Sequence, residues 1–200
     1  MVTDFDKIKI EIKNNMSEYR YNHSIGVVEA IEKLVEKYGG DLEKARLVAL
    51  THDIAKEMSM DEYMSYIEKY NIDVTEVELK SSGLLHGKIG AYVVKEKYQF
   101  DDEMQNAIKL HTTGSNDMSK LGKLLYIADC IENREHKVKK VQDEVEKCNT
   151  LEEAYKVCMS CKLAHVIKNK DLKETVMTYL NEYREEENYP MKELKYFLEK

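Results

Sequence analysis

A single proline, Pro190, and only eight glycines are spread over 200 residues. Proline removes a backbone donor and clashes with the preceding turn, and glycine weakens a helix. A chain this poor in both can run helix after helix. The apolar spacing agrees. Phe5, Ile8 and Ile12 recur at helical intervals, as do Val27, Ile31, Leu34 and Val35 ahead of Gly39-Gly40. The stretch DLEKARLVALTHDIAKEM, residues 41–58, reads as one core helix, apolar nearly all round behind an aspartate cap. The pairs Ser59/Glu62, Thr150/Glu153 and Asp171/Glu174 have capping-box spacing. NIDVTEVELKSSG, residues 71–83, is less regular. HGKIGAYVVKEKY predicts a helix starting at His86, with Gly87 and Gly90 allowing close backbone approach. DDEMQNAIKLHTTG and SKLGKLLYIADCIEN follow, separated by a polar turn. The final YPMKELKYFLEK fits a docked short helix or a frayed end equally well. No segment reads as a strand, so the expected fold class is all-α, in one domain over residues 1–200.

Hydrophobic residues are 42% and charged residues 34%, an ordinary globular mixture. The length allows a core that stands without disulfides. The four cysteines do not look like a disulfide framework. Cys158 and Cys161 form CMSC inside a helical pattern, but Cys130 and Cys148 are not spaced as a second zinc pair, so ordinary thiols are expected. The net charge of -7 argues against nucleic acid as a partner, yet a local cationic pocket could still hold a phosphorylated small molecule. Neither a secretion signal nor a membrane-length apolar run is read, which makes cytoplasmic the expected location.

Six histidines stand at 23, 52, 86, 111, 136 and 165, and His52-Asp53 is the only adjacent His-Asp pair. Each alone has an ordinary reading as a satisfied core residue. The set does not. His23, His52, His86 and His111, with Asp53 and Asp129, lie on five helical segments within apolar patterns. Burying them separately would need several independent partners, whereas one or two cations would satisfy them together. Imidazole and carboxylate suit iron, manganese or zinc alike. Six donors exceed what one open catalytic metal takes. His136 and His165 fall outside the pattern. Lys56, three residues after Asp53, and Arg20, three before His23, would share a helix face with those residues. Arg134 falls five residues after Asp129. Thr112, Thr113 and Gly114 follow His111, where hydroxyls and amides could hold phosphate or simply end a helix. Lys88 carries less weight.

The order His, His-Asp, distant Asp resembles the HD-domain phosphohydrolase superfamily, and His86 and His111 resemble its dinuclear branch. The phrases HSIGVVEAI, THDIAKEM, LLHGKIGAYVVKEKY, IKLHTTG and LYIADCIE are similar to the YqeK family, symmetrical diadenosine tetraphosphate hydrolases of bacteria. The resemblance implies an HD helical bundle over about 18–135 with a C-terminal helical extension over about 136–200. It implies metal ligation by His23, His52, Asp53, His86, His111 and Asp129, with Asp53 bridging two divalent or mixed-valence ions. Iron is the expected metal, with manganese, cobalt and zinc admitted. Asp53 and Lys56 become the catalytic residues. Arg20, Gly26, Asp53, Lys56, His86, His111, Thr112, Thr113 and Arg134 become the substrate-binding ones. A hydroxide between ions about 3.5–4 Å apart would be the nucleophile. The expected partners are a dinucleoside polyphosphate and its product ADP, without nucleic acid or membrane; a homodimer is left open. Two departures stand out. IENREHKVKK replaces the family's IEPNR and following PG, which bears on Arg134, and Thr51 stands where an apolar residue is usual. The alternatives are another HD nucleotidase or phosphodiesterase, or a catalytically silent nucleotide-binding regulatory module. A one-metal nucleotidase leaves His86 and His111 unexplained, and the GYP tripeptide of HD-GYP phosphodiesterases is absent.

Overall fold

The computed structural model describes residues 4–132 and 139–168, and no strand occurs among them. The helices are α1 (Phe5–Asn15), α2 (Glu18–Tyr38), α3 (Leu42–Thr51), α4 (Met60–Tyr70), α5 (Glu76–Leu79), α6 (Ser82–Tyr98), α7 (Asp102–Leu110), α8 (Lys120–Ile131), α9 (Lys139–Lys147) and α10 (Leu151–Lys168). The chain divides into two compact units, Met1–Asn133 and Arg134–Lys200. No described helix is long and apolar enough to cross a membrane.

In the first unit α2 packs on α3 and α8, and α7 packs on α6 and α8. Val27, Ile31, Val48, Leu50, Ile108, Leu125 and Ile127 are enclosed where these helices meet. A second apolar cluster joins Ala55, Tyr63, Ile72, Leu85, Ile89 and Val93, beneath the segment that follows α3. The caps are side chains of the expected type. Asp4, Ser17, Asp41 and Ser119 each accept from a first-turn amide, and Ser59 with Glu62 forms a complete capping box. Helix α2 ends at Gly39, whose φ of 74° suits glycine.

Three elements differ from the sequence expectation. First, the helix expected over 41–58 stops at Thr51. The His52 Nδ1–H donates to the Ala49 carbonyl at 2.7 Å, taking the acceptor that the next helical amide would use. The chain then tightens into successive i→i−3 turns, with Ile54 N–H on Thr51, Lys56 N–H on Asp53 and Met58 N–H on Ala55. Second, α6 begins at Ser82, so His86 sits one turn inside the helix rather than at its start. Third, the irregular stretch contains α5, opened by a Thr75/Glu78 capping box.

In the second unit α9 and α10 pack on each other and bury Val141, Val145, Ala154, Tyr155 and Cys158. Thr150 and Glu153 bond reciprocally ahead of α10. All four cysteines are free thiols, and His165 is exposed. The Asp171/Glu174 pair, YPMKELKYFLEK, His136 and Arg134 lie outside the described residues.

Candidate metal centre

Five elements converge on Asp53. Helix α2 contributes Arg20 and His23, and the turn after α3 contributes His52, Asp53 and Lys56. His86 comes from α6, His111 and Thr112 from the end of α7, and Asp129 from α8. The approach of α6 to α7 depends on Gly87: a Cβ there would lie 2.9 Å from the Lys109 carbonyl oxygen and 3.1 Å from that of Ile108. Gly90 is in ordinary contact distance of Ile108 and His52.

The Asp53 carboxylate divides the cluster. Its Oδ2 is 3.6 Å from His52 Nε2 and 3.9 Å from His23 Nε2. Asp129 Oδ1 lies 3.3 Å from His23 Nε2 and 3.8 Å from His52 Nε2. The other Asp53 oxygen, Oδ1, is 3.1 Å from His86 Nε2 and 3.6 Å from His111 Nε2. One oxygen thus faces His23 and His52, which Asp129 also approaches, and the other faces His86 and His111.

Ring orientation fits cation binding. His52 Nδ1 donates to the Ala49 carbonyl and His111 Nδ1 to the Ile108 carbonyl, both at 2.7 Å. A ring nitrogen that donates there leaves Nε2 as a lone pair, and both lone pairs point at the Asp53 side of the cluster. Burial favours neutral rings at these two positions. It lowers the pKa of His52, and it lowers that of His111 to about 4. Burial alone would raise Asp53, but the surrounding imidazoles of His52, His111 and His86 hold it below the usual carboxylate range. Burial also opposes a charge on His23, yet Asp129 and Glu132 outweigh it and lift that pKa to about 9. A cation at this position would displace the His23 proton. Converging imidazole nitrogens and carboxylate oxygens are the donor set of a divalent transition metal, and the residues present are compatible with one.

The neighbouring groups are cationic or hydroxylic. Arg20 Nη1 donates to Asp53 Oδ2 at 2.6 Å. Lys56 Nζ lies 3.3 Å from both nitrogens of His86. The reason differs from the helical one expected: in i→i−3 turns residues three apart eclipse, which brings Lys56 to the same side as Asp53. Thr112 Oγ1 is 3.1 Å from His111 Nε2 and 3.3 Å from His86 Nε2. Thr113 makes no hydrogen bond to the cluster, and Gly114 ends the turn by donating to the Leu110 carbonyl. Gly26 backs onto the carboxylate of Glu132. Lys88 is committed elsewhere, to Glu78 at 2.7 Å and the Asp73 carbonyl at 3.0 Å. Thr51 is buried and its hydroxyl donates to the Leu47 carbonyl, so it is satisfied locally.

The sequence reading missed three supporting residues. Glu57 accepts from the Ser17 amide at 2.9 Å and from its hydroxyl, tying the start of α2 to the turn. Tyr63 donates its hydroxyl to the Ala55 carbonyl at 2.8 Å, and burial lifts its pKa to about 12, which keeps the proton in place. Glu132 lies against His23. Its spacing of three residues from Asp129 was the one signal available, since that puts both on one side of α8.

Residues 20–134 match the HD domain family. A Halalkalibacterium halodurans protein named bis(5'-nucleosyl)-tetraphosphatase, symmetrical, is 38% identical over 122 residues, covering 60% of this chain and 65% of the relative. A Staphylococcus aureus protein of the same name is 36% identical over 130 residues, covering 64% and 66%. The matches therefore span just under two thirds of these relatives' lengths. The crystal structure of a Clostridium acetobutylicum protein, described as a predicted HD superfamily hydrolase involved in NAD metabolism, superposes with a TM-score of 0.69. It is 27% identical and is covered over 97% of its length by 98% of this chain. With the matched span enclosing all six histidine and aspartate positions of the cluster, the chain belongs to the HD-domain family.

Proposed function

We propose that this protein is a metal-dependent phosphoanhydride hydrolase that cleaves diadenosine tetraphosphate symmetrically to two ADP. The observation that carries the reading is the Asp53 carboxylate, turned by one oxygen to His23 and His52, beside Asp129, and by the other to His86 and His111. In this reading His23, His52, Asp53, His86, His111 and Asp129 would hold two divalent ions, Asp53 being shared between them, with iron the first choice. The names of the relatives support the substrate. Bound ions would supply water activation and neutralisation of phosphate charge. The chain's own groups would do the rest. Lys56 stands beside His86 and would donate to the oxygens that gain charge as the bond breaks. Arg20 is held by Asp53 through Nη1 and would place its guanidinium charge beside the phosphates. Thr112 would add a hydroxyl between His86 and His111. Gly26, Thr113 and Arg134 remain in the proposed substrate set; a cytoplasmic location and a single domain over 1–200 are proposed alongside it.

The test is product analysis. Metal-loaded protein should convert the dinucleotide to ADP alone, with two ions per chain. ATP plus AMP, or no turnover with iron, manganese or cobalt, would sink the proposal. The Clostridium description favours one second reading, another HD phosphohydrolase acting on a dinucleotide such as NAD. Running NAD in parallel separates the two.

A further inference from the structure

We infer that Glu132 is a positioning residue that holds the His23 ring in its metal-binding orientation, and that residue 26 is glycine to make room for its carboxylate. The inference rests on the reading of His23 as a metal ligand. The Glu132 side chain is only 9% exposed, and a carboxylate is costly to bury unless something pairs with it. Its Oε2 lies 2.5 Å from His23 Nδ1. The opposite nitrogen of the same ring, Nε2, faces Asp129 and Asp53. Glu132 is therefore not a further donor to the cluster. It accepts from the far side of the ring and leaves Nε2 aimed inward.

The reason His23 needs such a partner lies in its place on the helix. His52 and His111 each stand just past a helix end and donate Nδ1–H to a carbonyl three residues back, where terminal carbonyls lack helical partners. His23 is in the interior of α2, which runs on to Tyr38, so its own backbone carbonyls are engaged in the helix. Its orientation is set by a side chain from another element, whereas His86, one turn inside α6, keeps its Nδ1 3.3 Å from the Ser82 carbonyl of its own helix. Glu132, at the end of α8, supplies it three residues after Asp129, so one helix terminus delivers both the donor and the brace.

Gly26 is the independent observation. It sits inside a 21-residue helix, where glycine weakens the helix relative to alanine. A Cβ at this position would run into the Glu132 carboxyl group, through its Oε1, Cδ and Cγ atoms. The glycine exchanges helix stability for the space that the carboxylate occupies, one turn from the ring it holds.

The experiment measures metal affinity by chelator competition, with thermal unfolding of the metal-free protein as the control for folding. Glu132→Ala should weaken binding of one ion per chain about 10–100-fold, the range for loss of a partner behind a histidine ligand. Glu132→Gln keeps an acceptor oxygen and should fall between Ala and wild type. Gly26→Ala should weaken binding to the same extent as Glu132→Ala. The double variant should be no weaker than either single one, because both act through one contact. In the metal-free protein, the downfield imidazole N–H signal of His23 should be present in wild type and lost in Glu132→Ala. Affinity within twofold of wild type in Glu132→Ala, additive losses in the double variant, or losses that only track unfolding would each overturn the inference. A wild-type protein that binds no ion would overturn the metal reading itself, and the inference with it; unchanged affinity in the variants of a metal-binding wild type would overturn the inference alone.

Discussion

Asp53 is buried among four imidazoles and stays charged because each of its oxygens has cationic or polarising partners. Asp53→Asn keeps the shape and removes the shared anion. It should cut metal content below half of the wild-type stoichiometry and reduce turnover by at least about 10²–10³, the scale for losing a main electrostatic group. Metal analysis and product assays check this. Lys56→Met separates phosphate stabilisation from metal binding. Its expected outcome is a fall in kcat of about 10²–10³ with metal stoichiometry unchanged. Equal loss of metal in this variant would mean that Lys56 supports the His86 ring rather than the substrate.

The decisive element is the turn of residues 52–57, which replaces the last part of the expected helix. Tyr63 pins it by donating to the Ala55 carbonyl from α4. Tyr63→Phe removes this bond while the Ala55 carbonyl keeps the Met58 amide, at about 0.5–1.5 kcal/mol. For a chain of this size the melting temperature should drop by about 1–6 °C. Calorimetry that shows no drop would mean that the apolar cluster alone holds the turn. The α6–α7 contact is the second critical junction. Gly87→Ala forces a methyl against two backbone carbonyls that cannot swing away, at about 1–3 kcal/mol. His86 and His111 move apart with their helices, so under the proposed two-ion reading binding on the Asp53 Oδ1 side should be lost first. Metal analysis of the variant should find one ion per chain.

For the whole molecule, a centre built from five elements couples metal binding to folding. Any ion that binds only the folded chain adds stability, by about 4 kcal/mol at a thousandfold excess over Kd. Chelation should therefore lower the melting temperature by several degrees, and re-addition should restore it. An unchanged melting temperature would mean that the cluster does not hold an ion. The proposal of one domain over 1–200 is tested in the same scan. One calorimetric transition supports it, and two separate transitions would divide the chain at the boundary between the units Met1–Asn133 and Arg134–Lys200.

Much of this was legible in the sequence. The scarcity of breakers and the capping pairs specify helices through local sterics and hydrogen bonding, which short stretches carry by themselves. The histidines and aspartates were legible as a set because their chemistry is incompatible with unpaired burial wherever they meet. The end of α3 at Thr51 was not legible, because Val48, Ala49, Leu50 and Ala55 are buried on either side of the break and the apolar pattern runs through it. Glu132 was not legible because a glutamate at a helix end ordinarily reads as solvated. What the sequence determined by itself was the helical class and which histidines and aspartates are candidate donors. Only the tertiary structure decided which oxygen of Asp53 faces which histidines and how Lys56 comes to the site. It also decided why residue 26 has no side chain, because those facts depend on distances between segments as far apart as His23 and Glu132.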